Sequence, residues 1–222
     1  MKIISLLLIL LICSFSGCKQ NLDTKPIDEV VRKTEPRTGV NLLKDFPAMH
    51  DSTFVNAVIE IPSGSLDKWE INKETGALEW QQQDSIPRIV QYIGYPGNYG
   101  MIPQTLLSKE NGGDGDPLDI LVLGAPVERG NVIKCKLIGV LYLKDNGEQD
   151  DKLIAVANDS PFVNLNNIDE LNAQFKGVSS IIKTWFANYK GPNAMSSSGF
   201  GDRDEALTIL KSAMIDYKIK TD

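Results

Sequence analysis

VNAVIEIPSGSLDKWEINKETG, residues 55–76, reads as two short β-type runs punctuated by turns. Residues 55–61 are rich in β-branched and apolar types, and Pro62-Ser63-Gly64 stops them with a turn signal. Residues 68–71 form the second run, and Asn72-Lys73-Glu74-Thr75-Gly76 turns the chain into a third at 77–81. Further runs follow at 120–123, 132–143 and 153–157, with Gly- and Asp-rich loops between them. Short strands with regular turns predict an antiparallel barrel, closed or nearly closed.

The last third has a different period. Asn167 can start a helix over 167–175, with Asp169 and Glu170 in its first turn. Over 178–189, Ile181, Ile182, Trp185, Phe186 and Tyr189 recur at helical spacing, and Gly191 can end that helix. Asp202 with Glu205 three residues on forms a capping box. Behind it Ala206, Leu210, Ala213, Met214 and Tyr217 make one apolar stripe. These stripes are core faces. No repeat and no second domain is visible.

The N-terminus stands apart. Lys2 precedes an apolar run over 3–12, and Ser14-Phe15-Ser16-Gly17-Cys18 follows. A basic start, a short apolar core and a small-residue exit predict a signal peptide over residues 1–17. The run is shorter than the roughly 20 residues a bilayer span needs. Ser16-Gly17 before Cys18 resembles a lipobox, so Cys18 is the expected lipidation site and the mature chain is expected to be exported and lipid-anchored to a bacterial membrane. An ordinary signal peptide with an incidental cysteine is the plainer alternative. Residues 18–47, mixed in charge and poor in apolar anchors, read as a tether, which leaves 48–222 as the folded domain. Cys13 would leave with the signal. Cys135, within an apolar run, reads as a small buried hydrophobe.

Composition narrows the chemistry. The net charge is −6, which argues against general nucleic-acid binding but leaves room for an anionic ligand held through cations. The chain has a single His, His50, expected at the surface. A Ser-His-Asp triad or a Cys-His pair cannot be assembled from it. Catalysis must then run on carboxylates, Lys, Arg and Tyr. The densest cluster of these is Asp114-Gly115-Asp116-Pro117-Leu118-Asp119. Its three carboxylates repel one another unless a cation sits among them. Pro117 excludes a helix interior, and in an extended stretch Asp114 and Asp116 would share a face. Oxygen donors without His or Cys select hard cations, with magnesium, manganese and calcium as candidates. The loop lacks the spacing and closing Glu of an EF-hand. A merely solvated acidic turn is the competing reading. A second acidic stretch, 145–152, joins two apolar runs as a hairpin loop.

Taken together, these segments resemble the family I soluble inorganic pyrophosphatases. The resemblance is carried by Val58-Ile59-Glu60-Ile61-Pro62, by Lys68-Trp69-Glu70-Ile71-Asn72-Lys73-Glu74-Thr75-Gly76 and by Tyr95-Pro96-Gly97-Asn98-Tyr99-Gly100. It continues through Gly113-Asp114-Gly115-Asp116-Pro117-Leu118-Asp119, residues 145–152 and Asn188-Tyr189-Lys190, in the family order. It implies a mainly β fold with flanking α: a five-stranded OB-like antiparallel barrel with two to three helices, assembled as a homo-oligomer. It also implies hydrolysis of pyrophosphate to two phosphates by a water activated with Mg2+, with Mn2+ as a substitute. By position, the resemblance makes Asp114, Asp119, Asp145, Asp150, Glu60 and Glu148 metal ligands, directly or through water. Asp116 would orient the attacking water and accept its proton. Lys68, Arg88, Tyr99, Tyr189 and Lys190 would bind phosphate oxygens, with Glu70, Tyr95 and Lys152 completing the site. The departures are Gln81-Gln82-Gln83, where many members carry Asp-Arg, Asn146, which replaces an acid, and a longer segment over 108–113. Two other readings use the same residues: hydrolysis of a different phosphoanhydride, and a non-catalytic OB-like surface protein that binds metal or phosphate.

Overall fold

The computed structural model describes residues 39–221 apart from Gly112. The expected signal peptide, Cys18 and most of the tether lie outside the described residues. Eleven strands and three α-helices follow in order among them. The strands are β1 (Val55–Ile61), β2 (Trp69–Ile71), β3 (Leu78–Trp80), β4 (Gln82–Gln83), β5 (Ile86–Pro87), β6 (Asn98–Met101), β7 (Asp119–Leu123), β8 (Val132–Asp145), β9 (Glu148–Gln149), β10 (Lys152–Ala157) and β11 (Met195–Gly201). The helices are α1 (Ile168–Gln174), α2 (Val178–Asn188) and α3 (Arg203–Thr221).

Hydrogen bonding in the main sheet runs β1-β6-β7-β10-β8-β11, and β8 also pairs back to β1 through Val55 opposite Cys135. Five strands, β1, β6, β7, β10 and β8, thereby make the core that the family resemblance implies, and β8, fourteen residues long, serves both β1 and β10. One expectation needs correction. The sheet is mixed, because β10 runs parallel to β7. The Asn146-Gly147 turn, with both residues at positive φ, reverses the chain after β8. The chain then re-enters as β10 between β8 and β7, antiparallel to the first and parallel to the second.

Two apolar cores flank the strands. One contains Leu121, Ile138, Ile154, Trp185 and Phe186, and so binds α1 and α2 to the sheet. The other gathers Ala57, Ile59, Ile120, Leu137 and Leu153 under Ala206, Leu210 and Ala213 of α3. Cys135 is buried in this second core, where a thiol serves as a small apolar group. The helix starts are those the sequence marks. Asn167 Oδ1 accepts the Glu170 N–H at 2.8 Å, and Asp202 and Glu205 exchange reciprocal bonds of 2.9 and 2.7 Å. His50 is exposed, at 3.1 Å from Asn56 Oδ1.

Residues 40–47, assigned to the tether from composition, are packed against the fold. Leu42 is 4% exposed, and Val40, Leu43 and Phe46 cover a small core with Val58, Ile71 and Met101. The Asn41 N–H donates to Asp45 Oδ2 at 2.7 Å, and the Leu42 N–H donates to the Gly76 carbonyl at 3.0 Å. The few apolar residues of this stretch suffice because they fill a groove beside the β2–β3 hairpin, a partner invisible to local composition.

Candidate active site

Strand ends and turns bring most of the predicted site residues into one open cleft of about 690 Å³. Asp114 and Asp116 enter from the loop before β7, and Asp119 is the first residue of β7. Asp150 precedes β10, Lys152 opens it, and Glu60 comes from β1. Opposite them stand Lys68 just before β2 and Glu70 within it, Arg88 after β5, Tyr99 from β6, and Tyr189 and Lys190 at the end of α2. Three predicted residues do not line the cleft. Asp145 sits at its rim, touching Lys190. Glu148 is exposed on β9, opposite Asp145. Tyr95 is buried below the floor, with ring centroids 5.2 Å from Tyr99 and 4.4 Å from Trp185.

The loop carrying Asp114 and Asp116 is turned rather than extended, and Pro117 had excluded only a helix interior. Gly115 has φ +89°, a conformation open to glycine, and Asp114 Oδ1 accepts the Asp116 N–H at 2.9 Å. Both carboxylates still reach the cleft, and the Leu107 backbone pins the loop, its N–H donating to the Asp116 carbonyl at 2.7 Å and its carbonyl accepting from the Gly115 N–H at 2.8 Å. The Leu118 N–H, just before β7, donates to Thr105 Oγ1 at 3.0 Å and ties the end of the loop to the segment after β6.

The acidic wall is electrostatically loaded. Glu60 is 6% exposed, and burial, opposed by Lys68 and reinforced by Asp119, pushes its carboxyl up to about 7. Its Oε1 accepts the Ile71 N–H at 2.8 Å. Burial also raises Asp114, against the bond from Asp116 N–H and with the charges of Asp116 and Asp119 adding to it. Asp150 is raised by burial too, with Lys152 opposing and Asp119 reinforcing. Lys152 is 2% exposed and lies between Asp150 Oδ1, at 2.6 Å, and Asp119, in contact. Burial disfavours its charge, but the two carboxylates outweigh burial and hold its pKa above the ordinary lysine value.

The basic wall is braced by side chains. Arg88 Nη1 donates to Gln81 Oε1 at 2.6 Å, and Gln81 Nε2 donates to Glu70 Oε2 at 2.8 Å. Lys68 Nζ lies 5.3 Å from the centre of the Tyr99 ring. Tyr189 stacks on Trp185 with centroids 4.6 Å apart, and burial raises its hydroxyl pKa against the pull of Lys190 and Lys152. Strand β2 is clamped from behind, where Trp69 stacks on Trp80 at 5.5 Å and Arg129 lies 4.6 Å over Trp69.

An acid-lined cleft facing Lys, Arg and Tyr matches what the comparisons return. A family model described as inorganic pyrophosphatase matches residues 57–218. The chain belongs to the inorganic pyrophosphatase family. It is similar to the inorganic pyrophosphatase of Campylobacter jejuni, at 40% identity over 169 residues, covering 74% of this chain and 92% of that one. Among solved structures, the Helicobacter pylori pyrophosphatase aligns with TM-score 0.67 and 34% identity, over 79% of this chain and 99% of that chain. The Schistosoma japonicum pyrophosphatase gives TM-score 0.76 and 28% identity, over 79% and 70%.

Family I pyrophosphatases are metal-dependent. Among the described residues of this pyrophosphatase, no three Asp, Glu, His or Cys side chains stand in a ready-formed metal cage. Its acids are instead held by ammonium groups: Lys152 on Asp119 and Asp150, Lys73 on Asp116, and Lys190 on Asp145. The donor set nonetheless fits a hard divalent cation. The acidic side chains of the cleft are all Asp or Glu carboxylates, and those of Glu60, Asp114 and Asp150 are raised first by burial and further by neighbouring carboxylates, two costs of ionisation that a bound cation would offset. Sequence reasoning gave no role to Lys73 or Gln81. Lys73 sits in the turn that carries part of the family resemblance, and that is the signal it offered. Gln81 gave none beyond marking a departure. It holds Arg88 toward Glu70 and thereby places Arg88 in the cleft.

Proposed function

We propose that the cleft hydrolyses inorganic pyrophosphate to two orthophosphates, with magnesium at its acidic wall, in a chain exported and lipid-anchored through Cys18. The observation that carries the catalytic part is one cleft in which Asp114, Asp116, Asp119 and Asp150 face Lys68, Arg88, Tyr189 and Lys190. Acids alone would suit a cation, and bases alone an anion. Both together suit a polyanion that arrives with its cations.

Asp114, Asp119 and Asp150 would hold the ions beside the nucleophile, and Asp145 and Asp150 the ion accompanying substrate, with Glu60 and Glu148 reaching ions directly or through water. Bound magnesium supplies charge neutralisation and makes water more acidic. Manganese satisfies the same oxygen donors. The residues of the chain do the rest. Lys68, Arg88, Lys190 and the hydroxyls of Tyr99 and Tyr189 hold the phosphate oxygens. Asp116, on its pinned loop, orients a water and takes its proton as the water attacks phosphorus. The bond to the bridging oxygen breaks, and Arg88 and Lys190 meet the charge that grows on the departing phosphate. No covalent intermediate is needed.

The test is phosphate release from pyrophosphate by the purified protein with magnesium, with EDTA, and with Asp116→Asn. Release that requires magnesium and falls about 10²–10⁴-fold in the variant is expected for loss of a general base. A folded protein that releases no phosphate with any divalent ion would shift the reading to a binding protein. Anchoring rests on residues 2–18 alone. Palmitate incorporation that disappears in Cys18→Ser supports it, and an unlabelled chain in the cytosolic fraction removes its basis. No helix among the described residues is long and apolar enough to cross a membrane. Self-association, implied by family resemblance, is read by light scattering.

A further inference from the structure

The loop that brings Asp114 and Asp116 into the cleft has little packing of its own. None of residues 113–117 is buried, and Leu118 is the first that is. Gly113 instead borders a separate cavity of about 150 Å³ beneath α3, together with Leu107, Ile209 and Ala213. Hydrogen bonds to the segment after β6 hold the loop in place of packing. Those to Leu107 run through the backbone. The remaining tie is made by a side chain. Thr105 is 3% exposed, and its hydroxyl donates to the Ile102 carbonyl at 2.6 Å while accepting the Leu118 N–H at 3.0 Å. Pro117 has no N–H, so the Leu118 N–H is the first main-chain donor after Asp116. Thr105 is itself fixed, because the next residue, Leu106, donates its N–H to the Ala213 carbonyl of α3 at 3.0 Å.

We propose that Thr105 is a positioning residue for hydrolysis: its hydroxyl fixes Leu118, and through Leu118 it sets where the Asp116 carboxylate stands relative to the phosphorus under attack. The proposal rests on the pyrophosphatase reading of the cleft, with Asp116 as the base. Thr105 does not line the cleft, so it acts only through the chain. Asp116 lies two residues before Leu118 and Asp119 one residue after it, which places the tie between the base and a metal-binding carboxylate. Replacing the hydroxyl by a methyl leaves the buried Leu118 N–H without its acceptor and removes a donor from the Ile102 carbonyl. The loop has no buried side chain to keep it in register, so it shifts to find new partners. A misplacement on the order of 1 Å at a reacting group can cost about 10²-fold in rate. The phosphate-binding side chains Lys68, Arg88, Tyr189 and Lys190 stand on other segments, so binding of pyrophosphate is left alone.

The test is steady-state phosphate release from pyrophosphate, in saturating magnesium, by the full chain and its Thr105→Val and Thr105→Ser variants, with the folded fraction measured by circular dichroism. Valine keeps the shape and loses the hydroxyl, whereas serine keeps the hydroxyl and loses the methyl. Thr105→Val should lower kcat by about tenfold or more while KM stays within about threefold. Thr105→Ser should return kcat to within about threefold of wild type, because both hydrogen bonds survive. If Thr105→Val does not fold, Thr105→Cys carries the same comparison, since its thiol fills the space but accepts only weakly. A folded variant without the hydroxyl that keeps wild-type kcat would show that Thr105 serves stability alone and would overturn the proposal. So would a Thr105→Ser variant that falls as far as Thr105→Val, which would assign the effect to packing of the methyl. Both results leave the pyrophosphatase reading standing, whereas a wild-type chain that releases no phosphate would overturn the two together.

Discussion

Glu60 gives the sharpest physical test of the acidic wall. Its carboxyl is raised from 4.5 to about 7 by burial, which the Lys68 charge only partly offsets. Without divalent ions, the folded protein therefore holds a proton at pH 6 that the unfolded chain has released. More protons bound in the folded state means that stability falls as pH rises. The contribution of Glu60 is fully present below about pH 4.5 and is lost as pH climbs through about 7. A shift from 4.5 to about 7 corresponds to about 3 kcal/mol. Glu60→Gln keeps an oxygen for the Ile71 N–H but cannot ionise. The assay is urea denaturation in EDTA from pH 4.5 to 8 for both proteins. The gap between them should widen in favour of the variant by about 3 kcal/mol across that range. The comparison of slopes cancels any fixed cost of the new amide. Magnesium at pH 8 should then stabilise wild type more than the variant. A gap that stays constant with pH would refute the argument that burial, uncompensated by the protein, loads this carboxylate.

Three other outcomes follow from the geometry. Lys152→Met leaves Asp119 and Asp150 facing each other without their shared ammonium. It should cost about 3–5 kcal/mol in EDTA, and calorimetry should show magnesium restoring part of that. Lys73 and Asp116 are both substantially exposed, so Lys73→Met should change stability by less than about 0.5 kcal/mol. It should nonetheless lower the magnesium concentration for half-maximal phosphate release, because one positive charge is gone from the cleft that the ions enter; an increased requirement would count against this. A methyl at Gly100 would lie 1.8 Å from the Val58 carbonyl oxygen across the β1–β6 ladder. Gly100→Ala should therefore cost more than about 4 kcal/mol, read as loss of soluble folded protein or a large fall in the denaturation midpoint.

What the sequence disclosed, and what it withheld, follows from where each signal resides. Strand β1 and the cap of α3 are legible because their determinants are local: a β-branched run before Pro62, and Asp202 three residues from Glu205. Strand β11 was missed because Met195–Gly201 is mostly serine and glycine, with no alternation. It is a strand only because the long β8 offers it a partner. Strand β6 contains Gly100, whose use there is the close approach of the Val58 backbone, a tertiary fact. In the site, the residue types came from short segments, but the contacts between those segments did not. Lys73 on Asp116, Gln81 between Arg88 and Glu70, and Lys190 on Asp145 join residues that are far apart in the chain or on separate elements.

The strand direction that the sequence misassigned is the one that assembles the acidic wall. In the parallel pair, Leu153 stands opposite Ile120, so the residue before each, Lys152 and Asp119, enter the cleft side by side. Asp150 lies two residues before Lys152, in the segment leading into β10, and the Lys152 ammonium reaches both its carboxylate and that of Asp119. An antiparallel β10 would have set Asp119 against the far end of that strand, at Ala157, and left Lys152 and Asp150 at the opposite edge of the sheet. The tight Asn146-Gly147 turn and the length of β8 are therefore not incidental to chemistry. They deliver β10 in the one orientation that gathers Asp119, Asp150 and Lys152 at the same strand ends, where the loop bearing Asp114 and Asp116 arrives from β7.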